Sequence, residues 1–226
     1  MKTEIIKRVA RIYAVALICA VFAAVFYGCT YDAVDTNPYI ESLDSEITLN
    51  TDGGMSLRET HDVVFYERSE SNGGDWWNYY KVINLDDSGN GNYGGTLAEL
   101  EDFSASVDGV DYPLNENVGS YNLDTFTSLQ KLRFAGCSYI VYNGSDVEIG
   151  VIMPAFSGGE RSVKFNYSLT DVMTRYADCA GFYYKFVSDN NSLGIEKFTA
   201  KVTMPQASDA DNFRAWTHIE TGTVGN

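Results

Sequence analysis

Two histidines serve the whole chain of 226 residues, His61 and His218, and neither belongs to an H-E-x-x-H pair. A helical zinc-hydrolase site is therefore excluded. No G-x-S-x-G elbow occurs either, so a serine nucleophile would lack the strained turn that exposes it. Spacing does not exclude a Ser-His-Asp triad assembled in space, but nothing in the pattern supports one. Basic residues are scarce: 16 Lys and Arg stand against 31 Asp and Glu, a net charge of −15. A surface this acidic repels phosphate, which makes nucleic acid and anionic lipid headgroups poor partners and favours solubility and divalent cations. So many carboxylates also make a chance glycosidase-like pair uninformative, and a solvated acidic face is the plainer reading. Heptads, internal repeats and long helical periods are missing, and with them coiled coils, solenoids and helix-covered parallel sheets.

What is present begins with Lys2, Lys7, Arg8 and Arg11, followed by an uncharged apolar run from Ile12 to Tyr27. That run is 16 residues long, shorter than the roughly 20 a membrane-crossing helix needs. It reads as a secretory signal over residues 1–29. Two processing routes fit its exit, "VFYGCTYDA". Gly28 before Cys29 resembles a lipoprotein box in which Cys29 is lipidated, although Phe26 and Tyr27 depart from the usual pattern. Ordinary cleavage with Gly28 and Thr30 as the small pair would leave no anchor. Setting residues 1–29 aside removes four cations and one carboxylate, and the net charge becomes −18. Of the four cysteines only Cys137 and Cys179 remain in the exported body. An even pair in an oxidising compartment suits a disulfide, and two buried thiols suit the sequence equally.

The body reads as strands. "SEITLN" and "MSLRETHDVVFYE" flank the turn "TDGG" as a hairpin. Val147, Ile149, Val151 and Met153 share one face, as do Val163, Phe165, Tyr167 and Leu169, and again Phe198, Ala200, Val202 and Met204. Asn143-Gly144, Ser157-Gly158-Gly159 and Asp108-Gly109 supply turns between the runs. Only "TLAELEDF", Thr96 to Phe103, reads as helix. The expected fold is all-β, an antiparallel β-sandwich of immunoglobulin-like or similar form. It would occupy residues 38–206, after a short linker over 30–37. Residues 207–226 then form a tail or the start of a second β region.

Three features bear on chemistry. In "GGDWWNYY", Trp76 or Trp77 with Tyr79 or Tyr80 could offer a sugar-stacking platform. Neighbouring strand residues point to opposite faces, however, so one tryptophan is expected in the core. Gly89, Gly91 and Gly94 match G-x-G-x-x-G, but Asp86 and Asp87 stand where a pyrophosphate would lie and no βαβ unit surrounds them. Asp86, Ser88 and Asn90 fit the first positions of a calcium loop, whose twelfth position falls on Leu97 instead of a bidentate Glu. Finally, Glu59 shares strand parity with Met55, Leu57, Val63 and Phe65. It should face the apolar side and need a partner such as Arg133 or Arg175, and a buried paired carboxylate is structural more often than catalytic.

The hairpin "IESLDSEITLNTDGGMSLRETHDVVF", the run "GGERSVKFNYSLTDVMTRYADCAGFYYKFV" and the strand "IEKFTAKVTMP" together resemble the N-terminal extracytoplasmic domain of the YciQ-like predicted membrane proteins, a bacterial family of unknown function. The resemblance spans roughly Pro38 to Trp216. It implies an acid at Glu59 and at Asp178, and it puts Tyr184 where relatives usually have an aromatic, often Trp. It also implies further β-structure and membrane helices beyond "FRAWTHIETGTVG", so this chain reads as a shortened relative. The expectation is a non-enzymatic extracytoplasmic interaction or structural module that takes no cofactor. It would be associated with the membrane through its signal or a lipid if either is retained. Its partner would be an unidentified protein or a cell-envelope glycan, the latter through a carbohydrate-binding use of Trp76 to Tyr80; a hydrolase ranks below both.

Overall fold

Alternating apolar residues produce eleven strands in a computed structural model that describes residues 37–68, 74–85, 98–187, 191–206 and 214–215. In chain order they are β1 (Tyr39–Leu49), β2 (Met55–Phe65), β3 (Trp76–Asn84), β4 (Leu100–Val107), β5 (Val110–Tyr112), β6 (Cys137–Asn143), β7 (Asp146–Phe156), β8 (Gly159–Leu169), β9 (Met173–Arg175), β10 (Ala180–Phe182) and β11 (Ile195–Thr203). A six-stranded sheet runs β11-β1-β2-β8-β4-β5, a three-stranded sheet runs β3-β7-β6, and β9 and β10 make a small hairpin. The fold is all-β and sandwich-like, as the alternation predicts. One pairing departs from the antiparallel rule: β11 lies parallel to β1, with Leu43 opposite Phe198 and Ile47 opposite Val202.

The inner faces supply the core. Val147, Ile149 and Val151 are fully buried with Met153 beside them, and Val163, Phe165, Tyr167 and Leu169 meet them from β8. The third predicted face behaves differently. Phe198, Val202 and Met204 follow the inward parity of Leu43 and Ile47, yet they are 46%, 42% and 37% exposed. Six strands are wider than three, so the smaller sheet does not reach β11, and among the described residues Phe186 packs on it, its ring 5.1 Å from that of Phe198.

Turn chemistry falls where expected. Gly53 adopts φ +98° between β1 and β2, and its carbonyl accepts from the Val172 and Met173 amides at 3.0 Å each. The hairpin is thereby tied to the start of β9. The predicted helix over Thr96 to Phe103 is overturned: from Leu100 onward the chain is β4, with Leu100 opposite Leu169 and a bulge at Asp102, whose φ is +52°. A row of unpaired groups on β8 outcompetes the weak local preference of "LAELEDF" for helix. The helix that does form, α1 (Ser128–Phe134), is held by a capping box in which Thr127 and Gln130 satisfy each other's backbone. The T-x-x-Q signature at residues 127–130 was there to be read.

The segment carrying α1 covers the outer face of the small sheet, where Val118, Phe126, Phe134, Cys137, Tyr139 and Ile152 form a second core. Tyr139 is fully buried across Gly150, and its hydroxyl donates to Glu148 at 2.8 Å. A Cβ at position 150 would lie 2.5 Å from both Cζ and Oη of Tyr139. Gly150→Ala is therefore expected to lower stability by about 1–3 kcal/mol through overpacking. The urea midpoint checks this, and Tyr139→Phe in the same background should recover part of the loss by freeing the ring.

Cys137 is buried in this second core and Cys179 is exposed in the β9–β10 turn, and both are free thiols. The disulfide between them is corrected accordingly: Cys137 sits inside a strand of the smaller sheet, and Cys179 sits in an exposed turn outside either large sheet.

Candidate functional site

Strand parity carries Glu59 inward from β2 between Leu57 and His61, and it is fully buried. An unpartnered carboxylate there would be prohibitively costly. Lys81 answers it from β3, where parity with Tyr79 and Ile83 also turns the side chain inward. Its ammonium donates to Glu59 Oε1 at 2.6 Å and Oε2 at 2.5 Å. Ser45 of β1 adds a bond to Oε1 at 3.2 Å, and Tyr167 of β8 adds one to Oε2 at 3.3 Å. The third ammonium hydrogen reaches Tyr184 Oη at 3.4 Å, and Tyr184 and Tyr167 share a 2.8 Å hydroxyl contact. Four strands and the segment after β10 thus converge on one ion pair.

The partner is Lys81 and not Arg133, whose guanidinium instead lies over the Phe134 ring. A lysine at inward parity between an aromatic and an isoleucine was the available signal in "YYKVI".

Burial alone would raise the Glu59 pKa, but the Lys81 charge and the contacts with His61 overcome it and hold the carboxyl at about 2. For Lys81, burial favours the neutral amine, and Glu59 reverses this to leave the ammonium raised. Burial first, then the Glu59 charge, pushes the Tyr79 and Tyr167 phenols upward. His61 completes the cluster: Nδ1 lies 2.7 Å from Tyr79 Oη, while Nε2 lies 3.6 Å from Glu59 and has no hydrogen-bond partner. The charged Glu59–Lys81 pair, with its hydrogen bonds from two sheets, suits fixing those sheets in register.

The aromatic stretch is divided between faces. Trp76 turns inward, with Nε1 donating to the Tyr66 carbonyl at 2.7 Å and its ring 5.2 Å from Phe65. Trp77 turns outward and stacks on Phe126 at 5.6 Å under the Lys131 ammonium. Tyr79 is buried against Phe165, and Tyr80 is 51% exposed. The four rings do not share one platform. Asp86, Ser88 and Asn90, the glycine triplet 89–94, Cys29 and His218 lie outside the described residues. Asp178 is exposed in the β9–β10 turn. Among the described residues no group of three or more His, Cys, Asp or Glu is arranged to hold a metal ion.

A family model described as the predicted membrane protein (DUF2207) N-terminal domain matches residues 39–226. The chain belongs to this family. No helix among the described residues of this DUF2207 domain is long and apolar enough to cross a membrane. No curated protein matches it. A solved structure, a putative protease from Parabacteroides distasonis, is similar at 11% identity over 59% of this chain, with a TM-score of 0.29. The match spans 23% of that protein's chain, and a likeness so weak carries no argument.

Proposed function

We propose that this DUF2207 domain is a non-enzymatic interaction and structural module, displayed outside the cytoplasm at the membrane. The observation that carries this reading is the exposed apolar face of β11. Phe198, Ala200, Val202 and Met204 align on one side of the terminal strand of the larger sheet, each exposed. An apolar stripe beside an open strand edge is the surface that strand addition by a protein partner uses, with backbone bonds giving affinity and alternate side chains giving selectivity. The cation-rich start and apolar run of residues 1–29 support export. The saturated contacts of the Lys81 ammonium with Glu59 and Tyr184 support a structural use of that cluster, and no cofactor enters the reading.

A photo-crosslinking amino acid at position 200 in cells tests it. The expected result is one discrete protein adduct in the envelope fraction, abolished by Phe198→Glu with Val202→Glu. The competing reading is a carbohydrate-binding module that uses exposed Tyr80. Absence of any adduct, together with retention on cell-wall polysaccharide that Tyr80→Ala removes, would replace the protein partner with a glycan.

A further inference from the structure

Beside the buried ion pair is a cavity of about 440 Å³, within the size range of small-molecule sites. It opens between β3, the edge strand of the smaller sheet, and β1 and β2 of the larger one, and Phe186, Val187 and Leu193 close it. Its shape is long. Trp76 and Lys81 both line it and stand five positions apart on β3, roughly 16 Å at about 3.3 Å per residue. Its walls are mainly aliphatic and aromatic.

The charges along it are unusual for this molecule. In a chain with 31 acidic residues, no Asp or Glu among the described residues lines the cavity, whereas Arg68, Lys81 and His61 do. Lys81 is spoken for, since its three hydrogens go to Glu59 and Tyr184. Arg68 is not. Its guanidinium lies flat over the Trp76 ring, 3.2 Å from the centroid, and its Nε is buried without a hydrogen-bond partner among the described residues. The two terminal nitrogens of the guanidinium form a fork whose spacing matches the two oxygens of a carboxylate. A buried donor left unmade is costly.

We propose that this cavity binds a small monocarboxylate with an extended apolar chain, its carboxylate on the Arg68 fork and its chain running past Trp76 and Leu193 toward His61. The ring under Arg68 holds the fork in plane, and the apolar walls supply most of the contact area. Selectivity for the acid over a neutral head comes from the guanidinium, because a hydrogen bond between charged groups is stronger than one to a neutral hydroxyl. This site is separate from the β11 stripe and stands or falls independently of it.

Calorimetric titration of the purified chain with octanoate, and separately with octanol, tests the proposal. Saturable octanoate binding at one per chain is expected, with octanol at least about tenfold weaker. Arg68→Gln should bring octanoate down to the octanol level, and Arg68→Lys should restore part of the difference. Leu193→Trp, which fills the cavity and leaves the head contact untouched, should abolish both titrations while circular dichroism reports a folded chain. Absence of saturable octanoate binding would overturn the proposal. So would equal binding of acid and alcohol that ignores Arg68→Gln, or octanoate binding that survives Leu193→Trp.

Discussion

Lys81→Met is expected to cost the domain about 3–5 kcal/mol, the loss typical when one partner of a buried pair is removed. A domain of this size has about 5–15 kcal/mol in all, so the variant should be close to unfolding at physiological temperature. Methionine keeps most of the stem, so the loss comes from the charge and not from an empty space. Glu59 would be left with the Ser45 and Tyr167 hydroxyls and the His61 ring at 3.6 Å, none of which replaces the two short bonds from the ammonium. The double variant Glu59→Gln with Lys81→Met removes both charges, and it should recover most of the stability, because the attraction within a buried pair largely offsets its own desolvation. Urea unfolding followed by far-ultraviolet circular dichroism gives both numbers, with an unchanged denaturant slope confirming that the native state is being compared. A loss below about 1 kcal/mol in Lys81→Met, the value of an exposed pair, would show that Glu59 and Lys81 are solvated in solution.

The pair also marks what sequence reasoning could reach. That Glu59 faces inward was legible, because strand parity is a local property of "MSLRETHDVVF" and one register fixes every side chain on it. That Lys81 meets it was not, because the contact crosses from one sheet to the other, and alternation within a strand says nothing about which strand lies opposite. The same limit explains β11. Parity placed Phe198, Ala200, Val202 and Met204 on one face, but whether a face is covered depends on how many strands the opposing sheet has. The helix expected over Thr96 to Phe103 failed for a related reason: β8 offers Leu169 and Ser168 as partners to Leu100 and Glu101, and tertiary pairing overrides propensity. For the aromatic stretch, opposed directions of Trp76 and Trp77 followed from strand geometry alone. The cavity could not be anticipated, since its wall combines β1, β2, β3 and the segment before β11.

Stability should fall steeply with acid and again with alkali, leaving a plateau between, and the signs follow from the direction of each shift. The Glu59 carboxyl is depressed from an ordinary 4.5 to about 2, so the folded state binds fewer protons than the unfolded one between those values. Its contribution is present above pH 4.5 and is lost as pH falls toward 2, a swing of about 3 kcal/mol at 1.36 kcal/mol per unit. Glu148 acts oppositely, since burial raises its carboxyl against the hydrogen bond from Tyr139. Protonating it stabilises the fold and blunts the upper part of the acid limb. On the alkaline side the Lys81 ammonium and the Tyr79, Tyr167 and Tyr184 phenols are all raised. Each contributes stability that is complete below its unfolded value and is lost as pH climbs past it. Three of them, Lys81, Tyr167 and Tyr184, touch one another and deprotonate against one another, so the alkaline transition should be the more abrupt. Unfolding midpoints from pH 2 to 11 give the profile. Glu59→Gln should flatten the acid limb and weaken the tyrosine part of the alkaline limb without removing it, because burial is the larger cause of those shifts. An acid limb unchanged in that variant would move the responsible carboxylate away from the buried pair.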